Sequence, residues 1–211
     1  VEQGRVPAAD CTLCPRLAAF RAGNAAAHPD WFNAPVPSFG PADAGLLVVG
    51  LAPGVRGANR TGRPFTGDFA GDLLYATLLE HGLADGVYAA CADDGLTLSG
   101  CRITNAVRCV PPENKPTTDE INTCRTFLKD EIASLPHLRV ILALGKIAHD
   151  AVVRALGLRL SAHPFAHGRD HALPDGRHLI DSYHCSRYNQ NTRRLTPEMF
   201  RQAVRRVLAY L

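Results

Sequence analysis

The sequence predicts an α/β protein: a three-layer α/β/α sandwich with a central four-stranded parallel sheet, in one domain spanning residues 1–211. Three observations predict it. Four strand-length apolar runs, at 46–51, 102–107, 139–144 and 178–183, alternate with helix-like segments at 72–80, 119–135, 147–156 and 197–210. The βαβαβαβα order is that of a parallel sheet with helices on both faces. The runs Leu46-Leu47-Val48-Val49 and Val140-Ile141-Leu142-Ala143-Leu144 are apolar at every position, as strands covered on both sides must be.

Taken in order, the chain begins with Cys11-Thr12-Leu13-Cys14, two thiols two residues apart that can reach one metal from a tight turn. Residues 25–41 read as a loop rich in Pro and Ala, with Trp31 and Phe32 plugging a long connection rather than stacking on a ligand. The first strand runs into a glycine-dense loop, and the helix at 72–80 follows it. Residues 82–100 are irregular and carry no assignable pattern. Thr117 with Glu120 three positions later forms a capping-box pattern ahead of the third segment. Thr196 before Pro197 reads as an N-cap with proline in the first turn of the last helix.

Composition narrows the class. Apolar residues make up 46% and charged residues 20% of 211 positions, enough for a sizeable core. No run of eighteen apolar residues suggests a membrane span, and residues 1–5 lack a signal-peptide layout, so a cytoplasmic, nucleoid-associated protein is expected. Seven cysteines in such a chain argue for thiolate metal ligation rather than disulfides. A net charge of +3 is too small to show nucleic-acid binding by itself.

Ligands of a parallel α/β sheet bind beyond the carboxyl ends of its strands. Three loops converge there: residues 50–68, with Arg56, Arg60, Arg63, Phe65 and Asp68; residues 108–116, with Cys109, Asn114 and Lys115; and residues 184–194, with Arg187, Arg193 and Arg194 and no acidic residue. The first lacks the Gly-Lys-Ser/Thr of a phosphate-binding loop and the dinucleotide glycine spacing, which disfavours a nucleoside triphosphatase. Its glycines let backbone N–H groups approach a flat ligand or a phosphate, and Phe65 offers a stacking face. The last loop is a local DNA footprint or, equally on composition alone, a solvated basic loop.

These residues resemble the family 5 uracil-DNA glycosylases, relatives of the iron-sulfur family 4 enzymes. The likeness runs nearly end to end: Cys11 and Cys14, Gly50-Leu51-Ala52-Pro53-Gly54 through Gly67-Asp68, Ala106-Val107-Arg108-Cys109 with Pro111-Pro112 and Asn114-Lys115-Pro116, and Ser182-Tyr183-His184. The resemblance implies that Cys11, Cys14, Cys109 and Cys124 bind a structural four-iron, four-sulfur cluster (4Fe-4S). Spacing alone allows a four-cysteine zinc site as well. It implies hydrolysis of the bond between base and deoxyribose in DNA containing uracil or deaminated bases. By the same resemblance His184 would stabilise the departing base, Asp68 would orient water or stabilise the cationic sugar, and Asn114 would assist. Gly50, Ala52, Phe65 and Asn105 would form the base pocket. Arg60, Ser186, Arg187, Asn189, Arg193 and Arg194 would hold DNA. A monomer without a membrane is expected.

Leu51 stands where family 4 enzymes carry an acid in Gly-Glu-Ala-Pro-Gly, which implies a broader pocket that also admits hypoxanthine, ethenocytosine or mispaired thymine. Cys91, Cys101 and Cys185 read as small apolar residues. His163 and His167 fall in a loop typical of the family without a physical role, and with His171 and His178 they match no standard zinc spacing. The competing readings are a non-catalytic, metal-stapled nucleic-acid-binding protein and a metal-dependent phosphate-ester hydrolase. Asp68 opposes the former, because a carboxylate in a basic groove hinders binding unless it acts on a developing cation.

Overall fold

In the computed structural model, residues 6–211 are described; the reading of residues 1–5 lies outside them. The strands are β1 (Leu46–Gly50), β2 (Ala84–Asp85), β3 (Thr97–Leu98), β4 (Cys101–Asn105), β5 (Val140–Leu144), β6 (Asp170–Ala172) and β7 (His178–Ser182). The α-helices are α1 (Pro15–Ala27), α2 (Ala58–Thr61), α3 (Phe69–Glu80), α4 (Thr118–Ser134), α5 (Lys146–Ala155), α6 (Arg187–Asn191) and α7 (Pro197–Leu208). The main sheet has the order β4-β1-β5-β7-β6. The four expected strands are parallel, and the short β6 adds an antiparallel edge to β7 that the sequence pattern did not reveal.

Period-two alternation divides the core. Leu46, Val48, Leu142 and Ile180 face Leu74, Leu78, Phe200 and Val204 of α3 and α7, while Leu47, Val49, Ile141 and Leu179 face Leu128, Ile132, Ala148 and Val152 of α4 and α5. Both faces are covered, which explains the unbroken apolar strands. Thr117 and Glu120 make both bonds of the capping box, and the Thr196 hydroxyl accepts from the Met199 N–H.

The sequence pattern missed α1, which starts with Pro15 in its first turn and buries Leu17 against Cys109, Cys124 and Phe127. Arg16 of α1 reaches Glu120 of α4 through two bonds of 2.7 and 2.8 Å. The unassigned segment 82–100 holds the small β2–β3 ladder and Asp94, which pairs with buried Arg63. Trp31 stacks on His28, and Phe32, still 43% exposed, lies against Gly62 at the back of the first loop. Among the described residues no helix is long and apolar enough to cross a membrane.

Candidate active site

At the carboxyl ends of β1, β4 and β7 lies a cleft of about 760 Å³, within the usual range for a small-molecule site. Its lining joins the three predicted loops with the end of β4: Ala52, Phe65, Asp68, Asn105, Asn114, His184, Ser186 and Arg187 all reach it.

Phe65 is buried in a left-handed conformation, φ 57°, that a bulky residue adopts only when its surroundings impose it. Glycines make the room. A Cβ on Gly71 would overlap the Phe65 carbonyl, and one on Gly50 would meet both the Phe65 ring and the Asn105 amide. Gly50 therefore lines no surface itself but lets an aromatic face and an amide close on the cleft together. The Tyr75 hydroxyl donates to Pro64 O at 2.6 Å, and the Tyr88 hydroxyl donates to Phe65 O at 3.2 Å, fixing this corner.

Asp68 is the N-cap of α3, yet its side chain makes no cap bond. The carboxylate turns into the first loop, where backbone N–H groups of Gly54 and Ala58 stabilise it. A Cβ on Gly54 or Gly57 would strike it. Burial nonetheless raises its pKa above the usual carboxylate value, opposed by those N–H groups and by Arg60.

The His184 ring lies 5.9 Å from the Phe65 ring and accepts or donates no hydrogen bond among the described residues. Burial pulls its pKa from 6.5 to about 4, so at neutral pH it is an uncharged imidazole with one N–H donor facing the cleft. Asn114, in a one-turn 3-10 segment (Pro112–Asn114), sits at φ 56° beside Glu113 at φ 54°. Two successive left-handed residues turn its amide toward the cleft.

The predicted DNA contacts divide. Arg187 stands over the Phe69 ring at 4.9 Å on the cleft rim, and Ser186 caps α6. Asn189 is engaged internally, its amide donating to His184 O at 2.8 Å. Arg194 lies over Tyr183, and Arg193 is exposed at φ 57°; neither lines the cleft. Arg60 also stands outside it, its Nε bonded to Arg56 O. Phe69 and Tyr188, the latter 70% exposed, line the cleft without having been singled out, as does Arg56 of the first loop, which had been given no role. Exposed aromatics beside arginine in the last loop were the available signal.

Cys11, Cys14, Cys109 and Cys124 line one narrow cavity with Leu17, Arg108 and Phe127, so three distant segments converge as predicted. Burial pushes the Cys109 thiol to about 12 and the Cys124 thiol to about 11, values at which only a bound metal would draw off the protons. The Arg108 N–H already points at Cys124 Sγ, 3.3 Å away, and the Arg21 charge acts on Cys14 and Cys109. No three of these sulfurs lie within 4.8 Å of one another. A single zinc with bonds of about 2.3 Å would gather them more closely than that. The four thiols thus form a converging, largely desolvated thiolate donor set.

Of the other cysteines, Cys101 and Cys185 are buried as expected, whereas Cys91 is half-exposed beside Asp93, because it lies on an irregular surface segment. His163, His167, His171 and His178 do not meet at one point: His167 stacks on Tyr183, and His178 on Tyr210.

An uncharged imidazole, a half-buried carboxylate, two amides and an aromatic face, set in a cleft at the carboxyl rim of a parallel sheet, make a pocket protein whose cleft can take a flat polar ring. Residues 37–208 match the family model described as the uracil DNA glycosylase superfamily, and the chain belongs to that superfamily. It is 51% identical over 196 residues to a type-5 uracil-DNA glycosylase of Thermus thermophilus, covering 90% of this chain and 89% of that one. A type-5 uracil-DNA glycosylase of Pyrobaculum aerophilum is 38% identical over 95% of this chain and 88% of its own. A type-4 uracil-DNA glycosylase of the same organism is 35% identical over 59% of this chain and 56% of its own.

Proposed function

We propose that this chain, acting as one domain and as a monomer on chromosomal DNA in the cytoplasm, hydrolyses the N-glycosidic bond of uracil in DNA and leaves an abasic site. The observation that carries the reading is the pairing of an uncharged His184 with a half-buried Asp68 across one cleft. Membership of the superfamily and the names of the type-5 relatives support it.

Arg187, with Arg56, engages the backbone of an extruded nucleotide, while the exposed Tyr188 stands where the vacated stack must be filled. Phe65 stacks on the flipped base, and Asn105 meets its edge with one donor and one acceptor. Cleavage breaks the bond between C1′ and the base nitrogen, and its electron pair leaves with the base. His184 donates its N–H to the base oxygen where negative charge grows; one such positioned donor is worth about a hundredfold to a thousandfold in rate. Asp68 faces the cationic sugar and aligns the water that adds to C1′, with Asn114 beside it. The water proton balances the departing base anion.

Leu51, lining the cleft without charge, supports a tolerance for hypoxanthine, ethenocytosine or mispaired thymine. Cys11, Cys14, Cys109 and Cys124 would hold a 4Fe-4S cluster. When bound, such a group supplies a structural staple rather than a reacting centre, tying the N-terminal segment to β4 and α4.

The test is a uracil-containing duplex incubated with the protein in chelator and then alkali. Strand cleavage at uracil that is lost in Asp68→Ala, with duplex affinity retained, is expected. Binding without cleavage by the parent protein would leave the non-catalytic nucleic-acid reading in its place.

A further inference from the structure

Residues 161–168, whose histidines have no role in the sequence pattern, link α5 to β6 and pack on the chain that carries His184. We propose that His167 is a positioning residue for His184, anchored by a buried hub on Asp181; this rests on the leaving-group role of His184 given above.

The contact is direct. The Tyr183 N–H donates to His167 Nδ1 at 3.1 Å, and the two rings stack 4.9 Å apart at 10°. Since the backbone can only donate, Nδ1 must be bare and the ring neutral. Burial lowers the His167 pKa in keeping with this; of the charges facing it, Arg206 acts in the same sense and Asp181 against it. The neighbours of His184 are confined on further sides. The Asn189 amide holds His184 O, and Gly145, at φ 94°, leaves only 3.3 Å between an added Cβ and His184 Cβ. The backbone is therefore gripped while the ring is left to the cleft.

His167 is itself held through its loop. The Gly168 N–H donates to Asp181 O at 2.8 Å, and the Ala166 N–H donates to Asp181 Oδ2 at 3.1 Å. The same carboxylate faces His171 Nε2 at 3.0 Å and His149 Nδ1 at 2.6 Å. His149 Nε2 lies 2.8 Å from His163 O, an acceptor, so it carries a proton. The His149 ring so bridges the Asp181 carboxylate and the His163 carbonyl through its two nitrogens. Asp181, buried with His149 and His171, thus binds α5, β6 and the loop to β7, two residues before Tyr183.

Two variants separate the bond from the stack. His167→Phe keeps a ring but cannot accept; His167→Asn can place its amide oxygen where Nδ1 stood. Single-turnover excision, duplex affinity and hydrogen exchange of the Tyr183 amide are measured beside His184→Ala. Expected for His167→Phe is a loss of about tenfold to a hundredfold in rate, the scale of a sub-ångström to 1 Å misplacement. Affinity should be unchanged and the Tyr183 amide deprotected, with His167→Asn recovering most of both. Parental rate in His167→Phe while His184→Ala is inactive overturns the inference and leaves the glycosylase reading standing. Equal loss in both His167 variants also overturns it. Full excision by His184→Ala removes the reading beneath it.

Discussion

Gly57→Ala tests whether the first loop exists to seat Asp68. An alanine Cβ at this position would overlap the Asp68 carboxyl group, deep inside the 3.0 Å that real Cβ contacts respect. The obstacle belongs to the reacting group rather than to a spare side chain. Restoring contact requires the carboxylate to retreat by about 1 Å, a displacement that costs on the order of a hundredfold in rate, or about 2.7 kcal/mol of barrier. Overpacking should also cost about 1–3 kcal/mol of stability. The assay is single-turnover cleavage of a uracil duplex, with duplex affinity and thermal melting measured alongside. Gly23→Ala, in α1 with open space around the added methyl, is the control; it should leave the rate unchanged and raise stability by about 0.5–1 kcal/mol. A Gly57→Ala protein that excises uracil at the parental rate would refute the placement of Asp68 at the sugar.

The pH profile follows from His184 at about 4: its protonation should leave excision level through pH 6.5 and lower it only further into acid, and a midpoint at the free-histidine value of 6.5 would contradict it. Since the unfolded histidine binds its proton first, this group makes stability fall as pH drops from 6.5 towards 4, a dependence that melting of His184→Phe should lack. Cys109→Ser should reduce bound iron from about four atoms per chain to under one and abolish the visible absorbance; iron retained in full would exclude Cys109 as a ligand. Glu131→Ala strips the buried partner of Arg102, Arg108 and Thr104 and should cost about 3–5 kcal/mol, or roughly 6–20 °C in Tm, whereas removing exposed Arg205 from its pair with Glu198 should cost under about 1 kcal/mol.

The parallel strands were legible because each is apolar on both faces, and the caps at Thr117 and Thr196 because their chemistry is local. The cleft residues Asp68, Asn114 and His184 were legible because three loops converge at the carboxyl rim, and Asn105 through the family resemblance. Helix α1 was overlooked because it buries one stripe around Leu17 against cysteines distant in sequence, leaving little apolar periodicity. Arg60, Arg193 and Arg194 lie outside the cleft lining, a placement illegible in the sequence because a charge count cannot tell which way a backbone turns its side chains.

By itself the sequence determined the order of the four parallel strands along the chain, the capped helix starts at Thr117 and Thr196 and the residue types available for chemistry, all consequences of local periodicity and side-chain identity. Only the tertiary structure decided which of these groups share a desolvated volume. Burial is what makes His184 a neutral donor and holds the Asp68 proton more tightly, and it comes from Phe65, Gly54 and Gly57 packing across loops. Likewise Asp181 is one unremarked carboxylate in a strand until the fold sets His149, His171 and Ala166 around it, because hydrogen bonds and desolvation depend on neighbours in space.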